Sequence, residues 1–189
     1  MKNSILFAFL LLICHTSHSQ DKEETKKESW DVSNPALSFK TVSITSDEGS
    51  WMSLDVSPDG TQIVFDMLGD IYTLPINGGT ATLIREGHAF EVQPRYSPDG
   101  KHISFTSDAG GGDNIWIMNT DGTEAKQITK EDFRLVNNAV WSVDGNYIFC
   151  KKHFTSTRSL GAGEIWMYHK SGGQGIQLTK KKNEQQDVG

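Results

Sequence analysis

The sequence has few of the residues on which disulfides and cysteine-based metal sites depend. It contains two cysteines among 189 residues. Cys14 lies in the N-terminal apolar stretch and follows Ile13, where a lipoprotein signal requires a small residue. Cys150 is then the one cysteine left for the folded part, which excludes an internal disulfide and a dithiol site. Its apolar neighbours favour a small buried side chain.

A long apolar run and an excess of positive charge are also missing. The stretch Ile5–Ile13 has nine residues, far below the roughly 20 that span a bilayer. It follows Lys2 and precedes Ser17 and Ser19, so residues 1–19 are predicted to be a cleaved secretory signal peptide. The net charge of -6, without a clustered basic face, argues against nucleic-acid binding. The signal predicts a periplasmic or secreted protein with no membrane span.

The composition of the chain changes directly after the signal and again at residue 40. Residues 20–39 begin with an almost wholly charged stretch and are predicted to be a solvated linker. From residue 40 to residue 189 short apolar alternations are separated by glycine-rich turns, which is typical of an all-β domain.

A repeat runs through this all-β part. A serine–X–aspartate–glycine sequence begins at Ser57 and returns after 40 and then 45 residues, at Ser97 and Ser142. Each copy precedes an alternating apolar strand, a second strand led by an acidic residue or asparagine, a glycine turn and a short last strand. Four short strands per unit at this period predict one propeller blade. The blades are expected at about residues 52–84, 93–129 and 138–179.

The repeated turns have a structural explanation. Proline presets φ for the first corner, aspartate can bond the backbone, and glycine accepts a positive φ. One aspartate per blade in equivalent turns therefore indicates turn chemistry rather than metal binding. The predicted structural turn residues are Pro58, Asp59, Gly60, Pro98, Asp99, Gly100, Asp144 and Gly145.

The pattern predicts an open arc rather than a ring. Lys40–Thr45 matches the last strand of a blade, but no earlier strands of that blade precede it. Propellers typically have about 4–8 blades. Three blades and one stray strand therefore predict a fragment of a longer protein, with unpaired strands at the edges of its sheets.

The repeats resemble those of the TolB-like propeller family, and the resemblance covers residues 40–189. Three stretches, Gly49–Gly60, Leu68–Tyr72 and Lys152–Trp166, are similar to the propeller that precedes a metal-dependent amidohydrolase domain in secreted bacterial proteins. This resemblance implies a non-catalytic scaffold or interaction segment, whose partner is its own C-terminal catalytic domain. A divalent metal such as zinc would belong to that domain.

The resemblance transfers no catalytic residue to this chain. The amidohydrolase metal site needs a His-x-His pair, and the sequence has none. No cofactor is therefore expected in this segment. Two alternatives remain open: a TolB-like module that binds envelope proteins, and the propeller lid of a prolyl-oligopeptidase-type serine peptidase.

The third blade carries extra residues between its second and third strands. Because binding residues often lie on loops, His153, Phe154 and Arg158 are candidate contacts with a domain or partner. Glu91 and Arg95 are also hard to dismiss as contact residues. Structural roles are predicted for the glycine-rich loop at residues 108–114, as a hairpin connection, and for four tryptophans, as packing residues: Trp51, Trp116, Trp141 and Trp166.

Overall fold

A computed structural model describes residues 31–155 and 162–180 of the chain. The predicted signal peptide at residues 1–19, the first part of the linker and Arg158 lie outside the described residues. Within the described ranges, no helix is long and apolar enough to cross a membrane.

Twelve strands form three separate antiparallel sheets of four, which confirms the all-β partial propeller predicted from the repeats. In each sheet the strands lie in chain order, from the innermost strand to the outermost. The first blade contains β1 (Leu54–Val56), β2 (Gln62–Met67), β3 (Asp70–Pro75) and β4 (Thr82–Arg85). The second contains β5 (Glu91–Tyr96), β6 (His102–Ser107), β7 (Asn114–Asn119) and β8 (Lys126–Gln127). The third contains β9 (Val136–Trp141), β10 (Tyr147–His153), β11 (Gly163–His169) and β12 (Ile176–Gln177).

The repeated sequence forms the hairpin turn between the first two strands of every blade. In the first copy the Ser57 hydroxyl donates a 2.6 Å hydrogen bond to Asp59, and the Asp59 carboxylate accepts the Thr61 amide. The turn glycines have φ near +70°, which a glycine adopts without strain: 71° at Gly60, 67° at Gly100 and 66° at Gly145. Hydrogen bonding to the charged form lowers the pKa of Asp59, with the Ser57 hydroxyl as the largest cause.

The blades stack in sequence and bury apolar side chains between neighbours. One cluster joins the first and second blades and includes Val64, Ile71 and Phe105. A second cluster joins the second and third blades and includes Ile115 and Ile148. Burying one such side chain contributes roughly 1.5–3 kcal/mol. The middle blade is therefore the one with apolar packing on both of its faces.

One predicted strand does not form. Lys40–Thr45 is exposed and has no strand pairing in the structure. A strand needs hydrogen-bonding neighbours, and none of the described strands pairs with this segment.

Candidate interaction surface

Because neighbouring strands are antiparallel, the connections between them lie at two opposite ends of each blade. The hairpin turns that follow β1, β5 and β9 lie at one end, together with the turns before β4, β8 and β12. The opposite end, here called the loop face, carries the second hairpin of each blade and the connections between blades. On the described part of the chain the loop face comprises residues 68–69, 86–90, 108–113, 130–135 and 154–155.

The loop face holds two of the three contact residues predicted from sequence. His153 is the last residue of β10 and is only 4% exposed, so its ring lies beneath the surface. Its Nε2 atom is 3.1 Å from Asn137 Oδ1, whereas Nδ1 is buried with no hydrogen-bond partner among the described residues. Burial lowers the pKa of His153, because the charged imidazolium loses solvation. Phe154 follows at the surface and is partly exposed.

Large apolar side chains are exposed along the loop face. They come from different connections, and together they mark this end as a candidate interaction surface, because exposed aromatic residues are enriched where proteins contact one another. The residues are Leu68, Phe90, Phe133 and Phe154, with Trp51 at the approach to β1.

Trp51 corrects a prediction from the sequence. It was expected in the core, but it is 100% exposed, precedes β1 and has a φ of 64°. In the repeat register Trp51 corresponds to Glu91 and Val136, which lie on inner strands and are buried. Those two residues are covered by the preceding blade, and no described blade precedes Trp51.

The first hairpin on the loop face is conformationally unusual. Leu68 and Gly69 both have positive φ, at 57° and 90°, as a two-residue turn of the I′ type requires. A leucine rarely adopts this conformation, and its side chain extends into solvent. Phe90 lies over Gly69, since a Cβ on that glycine would come within 3.1 Å of the Phe90 ring. The glycine thus makes room for Phe90.

Glu91 belongs to an ion pair just below the loop face. The Arg85 Nε–H donates to both carboxylate oxygens of Glu91 at 3.0 Å, and the Ser107 hydroxyl approaches one of them at 3.4 Å. Glu91 is buried. Its pKa is raised, because the loss of solvation exceeds the stabilisation of the charged form by Arg85. Glu91 anchors the start of β5 rather than facing a ligand.

Hydrogen bonds between the inner strands link the three blades, and no pattern in the sequence predicted them. The buried Asp66 carboxylate accepts the amide of Ser53 at 3.1 Å and that of Gln93, in the next blade, at 2.6 Å. The Gln93 side-chain oxygen accepts the Asn138 amide of the third blade at 2.9 Å. Gln93 and Asn138 have positive φ and lie where β5 and β9 lose register with their partner strands. Such register shifts are β-bulges.

One signal in the sequence could have located the first bulge. Pro94 follows Gln93 within a predicted strand, and proline is confined to strand edges and bulges. Arg95, a candidate contact, instead donates to the Leu54 carbonyl of the first blade at 3.1 Å. The Trp141 indole donates to the Arg95 carbonyl at 3.2 Å and packs against the second core cluster, in agreement with its expected structural role.

An open cleft of about 840 Å³ separates the outer strands of the second and third blades. Within it the Lys152 ammonium lies 2.6 Å from Glu131 and 4.2 Å from the centre of the Trp166 ring. The Tyr168 hydroxyl donates to the same carboxylate at 3.3 Å. Burial and the neighbouring negative charge of Glu131 raise the pKa of Tyr168, so the phenol stays protonated. These polar groups in the cleft are thus paired with one another, and Glu131 connects the second blade to the third.

No group of three or more His, Cys, Asp or Glu side chains that could hold a metal occurs in residues 31–155 and 162–180. Cys150 is buried, and the loss of solvation raises its pKa to about 12, so its thiol is a poor nucleophile.

Comparison with known protein families identifies the chain. The family model of the TolB β-propeller domain matches residues 24–187. The chain belongs to the TolB β-propeller family. The match extends across all three blades and across the hairpin turns that define the repeat.

Two curated relatives show how this TolB-like propeller occurs in larger proteins. An uncharacterised protein of Agrobacterium fabrum is 36% identical over 77 residues, which are 39% of this chain and 26% of the relative. An uncharacterised peptidase of Bacillus subtilis is 33% identical over 120 residues, which are 57% of this chain and 17% of the relative. The chain therefore spans about a quarter or less of each of these relatives.

Solved structures show the same fold. A structure assigned as TolB from Agrobacterium tumefaciens aligns with a TM-score of 0.62 and 22% identity, over 70% of this chain and 50% of that one. TolB from Acinetobacter baumannii aligns with a TM-score of 0.57 and 26% identity, over 71% and 34% of the two chains. The TolB-like propeller described here thus corresponds to half or less of each solved chain.

Proposed function

We propose that the chain is a non-catalytic scaffold and interaction segment of an exported protein, the N-terminal part of a metal-dependent amidohydrolase, and that its loop face contacts the catalytic domain. The observation that carries this proposal is the group of exposed phenylalanines on the loop face, Phe90, Phe133 and Phe154, which come from three different connections. A rigid propeller with aromatic loops is suited to docking another domain. The signal-peptide pattern at residues 1–19 supports export.

The class of the catalytic domain rests on the sequence resemblance. Gly49–Gly60 and Lys152–Trp166 resemble propellers that accompany amidohydrolase domains, and the chain itself contains no His-x-His pair. The metal of such an enzyme, for which zinc is the expected ion, would be held by residues outside this chain.

A specific observation favours a second candidate. The Bacillus subtilis relative is a peptidase and matches this chain at 33% identity. In that case the propeller would cover the active site of a prolyl-oligopeptidase-type serine peptidase, and the same loop face would contact the peptidase domain. The family match leaves a third candidate, a TolB-like module that binds envelope proteins.

Site-specific photo-crosslinking in the native cell envelope tests the proposed contact. A photoreactive phenylalanine analogue replaces Phe133 on the loop face, and the same analogue replaces the exposed Ile76 at the opposite end as the control. The expected result is crosslinking from position 133, but not from 76, to peptides of an amidohydrolase domain. Peptides of a serine peptidase would replace the first candidate with the second. Equal crosslinking from both positions, or none, would contradict the loop face as the contact.

A further inference from the structure

The cleft between the second and third blades is wider than the corresponding gap between the first and second. Gly122 and Gly172 occupy the same place in the turn before the outermost strand, where each amide closes the turn and each Cα faces a carbonyl of the preceding blade. A Cβ on Gly122 would lie 1.8 Å from the Ile84 oxygen, whereas a Cβ on Gly172 would lie 3.4 Å from the Ile128 oxygen. The outer strands of the second and third blades therefore stand further apart at this point.

Glycine backbone forms one wall of the cleft. Residues 171–175, between β11 and β12, include three glycines, whereas the equivalent residues 121–125 of the second blade include one. A Cβ on Gly175 would lie 2.5 Å from the Tyr168 ring, and Gly172 and Gly173 have φ of 95° and 106°. Glycine permits both the close approach and the positive φ. Backbone atoms rather than side chains consequently line most of this wall.

The cleft carries positive charge that the protein does not neutralise. Lys152 is paired with Glu131, but two further lysines also line the cleft. Lys126 donates to the neutral carbonyl of Ser171 at 3.3 Å, and Lys130 is exposed. Neither of these two forms an ion pair within residues 31–155 and 162–180. In a chain with a net charge of -6, this local excess of positive charge favours a negatively charged ligand.

The positions of the two unpaired lysines indicate an extended ligand. Lys126 lies beside the glycine wall and Lys130 on the loop face, four residues further along the chain and up to roughly 13 Å away. One small anion does not bridge that distance, and the Trp166 ring lines the space between. Among the described strands, β8 has a neighbour on one side only. A polypeptide can hydrogen-bond to such an edge and to the backbone of the glycine wall.

We propose that this cleft binds an extended peptide segment that carries acidic side chains. Lys126 and Lys130 each pair with one carboxylate of the peptide, its backbone runs along the glycine wall, and an apolar side chain between the two acids contacts Trp166. The cleft meets the loop face at Lys130 but is not lined by any of the exposed phenylalanines of that face. The proposal is therefore independent of docking between the loop face and a catalytic domain.

A peptide array probed with the fluorescently labelled full chain tests the ligand class. The immobilised nine-residue peptides contain valine and threonine with two glutamates placed two, three or four residues apart, and each has a counterpart with glutamines. The strongest binding is expected for glutamates four residues apart, and it should weaken as salt is raised. Equal binding to the glutamine counterparts, or no binding to any acidic peptide, would overturn the proposal. Binding to polygalacturonate but to no peptide would assign the cleft to acidic saccharides instead and would also overturn it.

Lysine substitutions test whether the cleft is the binding site. The dissociation constant of the best array peptide is measured by fluorescence anisotropy. The double substitution Lys126→Gln and Lys130→Gln should raise it by about fivefold or more, because two exposed charge pairs are lost. Lys101→Gln, which removes an exposed charge in the first hairpin of the second blade, should leave it unchanged. Equal effects of the double variant and the control would place the peptide elsewhere.

Gln174 allows a test by the sign of the effect. Its side chain is exposed and lines the cleft, so its replacement leaves the core intact. Gln174→Glu should weaken binding of the acidic peptide about twofold, and Gln174→Lys should strengthen it by a similar factor. Opposite signs are not expected of damage to the fold, which circular dichroism checks in both variants. Shifts of the same sign, or no shift in either variant, would overturn the proposed site.

Discussion

At the scale of single residues, buried polar groups join the blades at their inner strands. Asp66 is buried within an apolar strand and accepts two backbone amides, one of them from the next blade. The equivalent residue of the second blade, Thr106, donates to Gln93 at 3.1 Å instead. At this repeat position both blades therefore place a polar side chain that connects inner strands, although the chemical group differs.

Replacement of Asp66 should destabilise the fold strongly. Asp66→Ala leaves the amides of Ser53 and Gln93 buried without an acceptor, and an unsatisfied group costs about 1–3 kcal/mol. The free energy of unfolding, measured by urea denaturation at fixed protein concentration, should fall by at least that amount. The control Asp47→Ala removes the same charge from an exposed position and should change stability by less than about 0.5 kcal/mol. Equal effects of the two substitutions would contradict the assigned role.

The buried ion pair of Glu91 predicts a pH dependence. Burial raises the pKa of Glu91 above its ordinary value of 4.5, so the folded state holds the proton more tightly than the unfolded state. The contribution of this group to stability is full below the unfolded pKa and is lost as pH rises through the folded pKa. The stability of the wild type relative to Glu91→Gln should therefore decrease as pH rises above about 4.5. Urea denaturation across pH 4–7 measures this difference, and an increase over the same range would contradict the raised pKa.

At the scale of the elements, the hairpin turns explain why the sequence repeat was informative. Aspartate and glycine at fixed offsets determine a local geometry that needs few tertiary contacts, so the strands on either side could be located from sequence. The bulge at Asn138 could not be located from sequence, because it forms around an acceptor in the preceding blade. The bulge at Gln93 also forms around such an acceptor, and Pro94 was its one signal in the sequence. Lys40–Thr45 has strand-like residues but no partner among the described strands, so it lies outside the three blades without pairing.

The third turn offers a matched pair of substitutions with opposite expected effects. Val143 occupies the place of Pro58 and Pro98 and is almost fully exposed. Val143→Pro should stabilise the chain by about 0.4–1 kcal/mol, because it restricts the unfolded state. Gly145 has a φ of 66°, so Gly145→Ala should destabilise it by roughly 1–2 kcal/mol. Thermal denaturation measures the midpoint temperature of each variant. Shifts of the same sign in the two variants would contradict the turn geometry.

At the scale of the whole molecule, neighbouring blades determine which repeat positions become core. The sequence identifies positions of equal residue type, such as Ile71, Ile115 and Ile165, but not which of them has a blade beside it. The same reasoning explains Trp51: its own repeat resembles the others, and nothing in that repeat shows that no described blade lies before it. The candidate surface was predicted only in part: the loop after β10 was expected, whereas the exposed aromatics of the other connections were not.

The three blades stack in sequence, and the equivalent isoleucines Ile71, Ile115 and Ile165 test this stacking most directly. Alanine substitutions are made one at a time, and the free energy of unfolding is measured at low protein concentration, where contacts between copies contribute least. Ile71→Ala and Ile115→Ala should each cost about 2–5 kcal/mol, because each leaves a cavity between two blades. Ile165→Ala should cost about 1 kcal/mol or less at an exposed site. Equal losses at all three positions would contradict the stacking of the three blades described here.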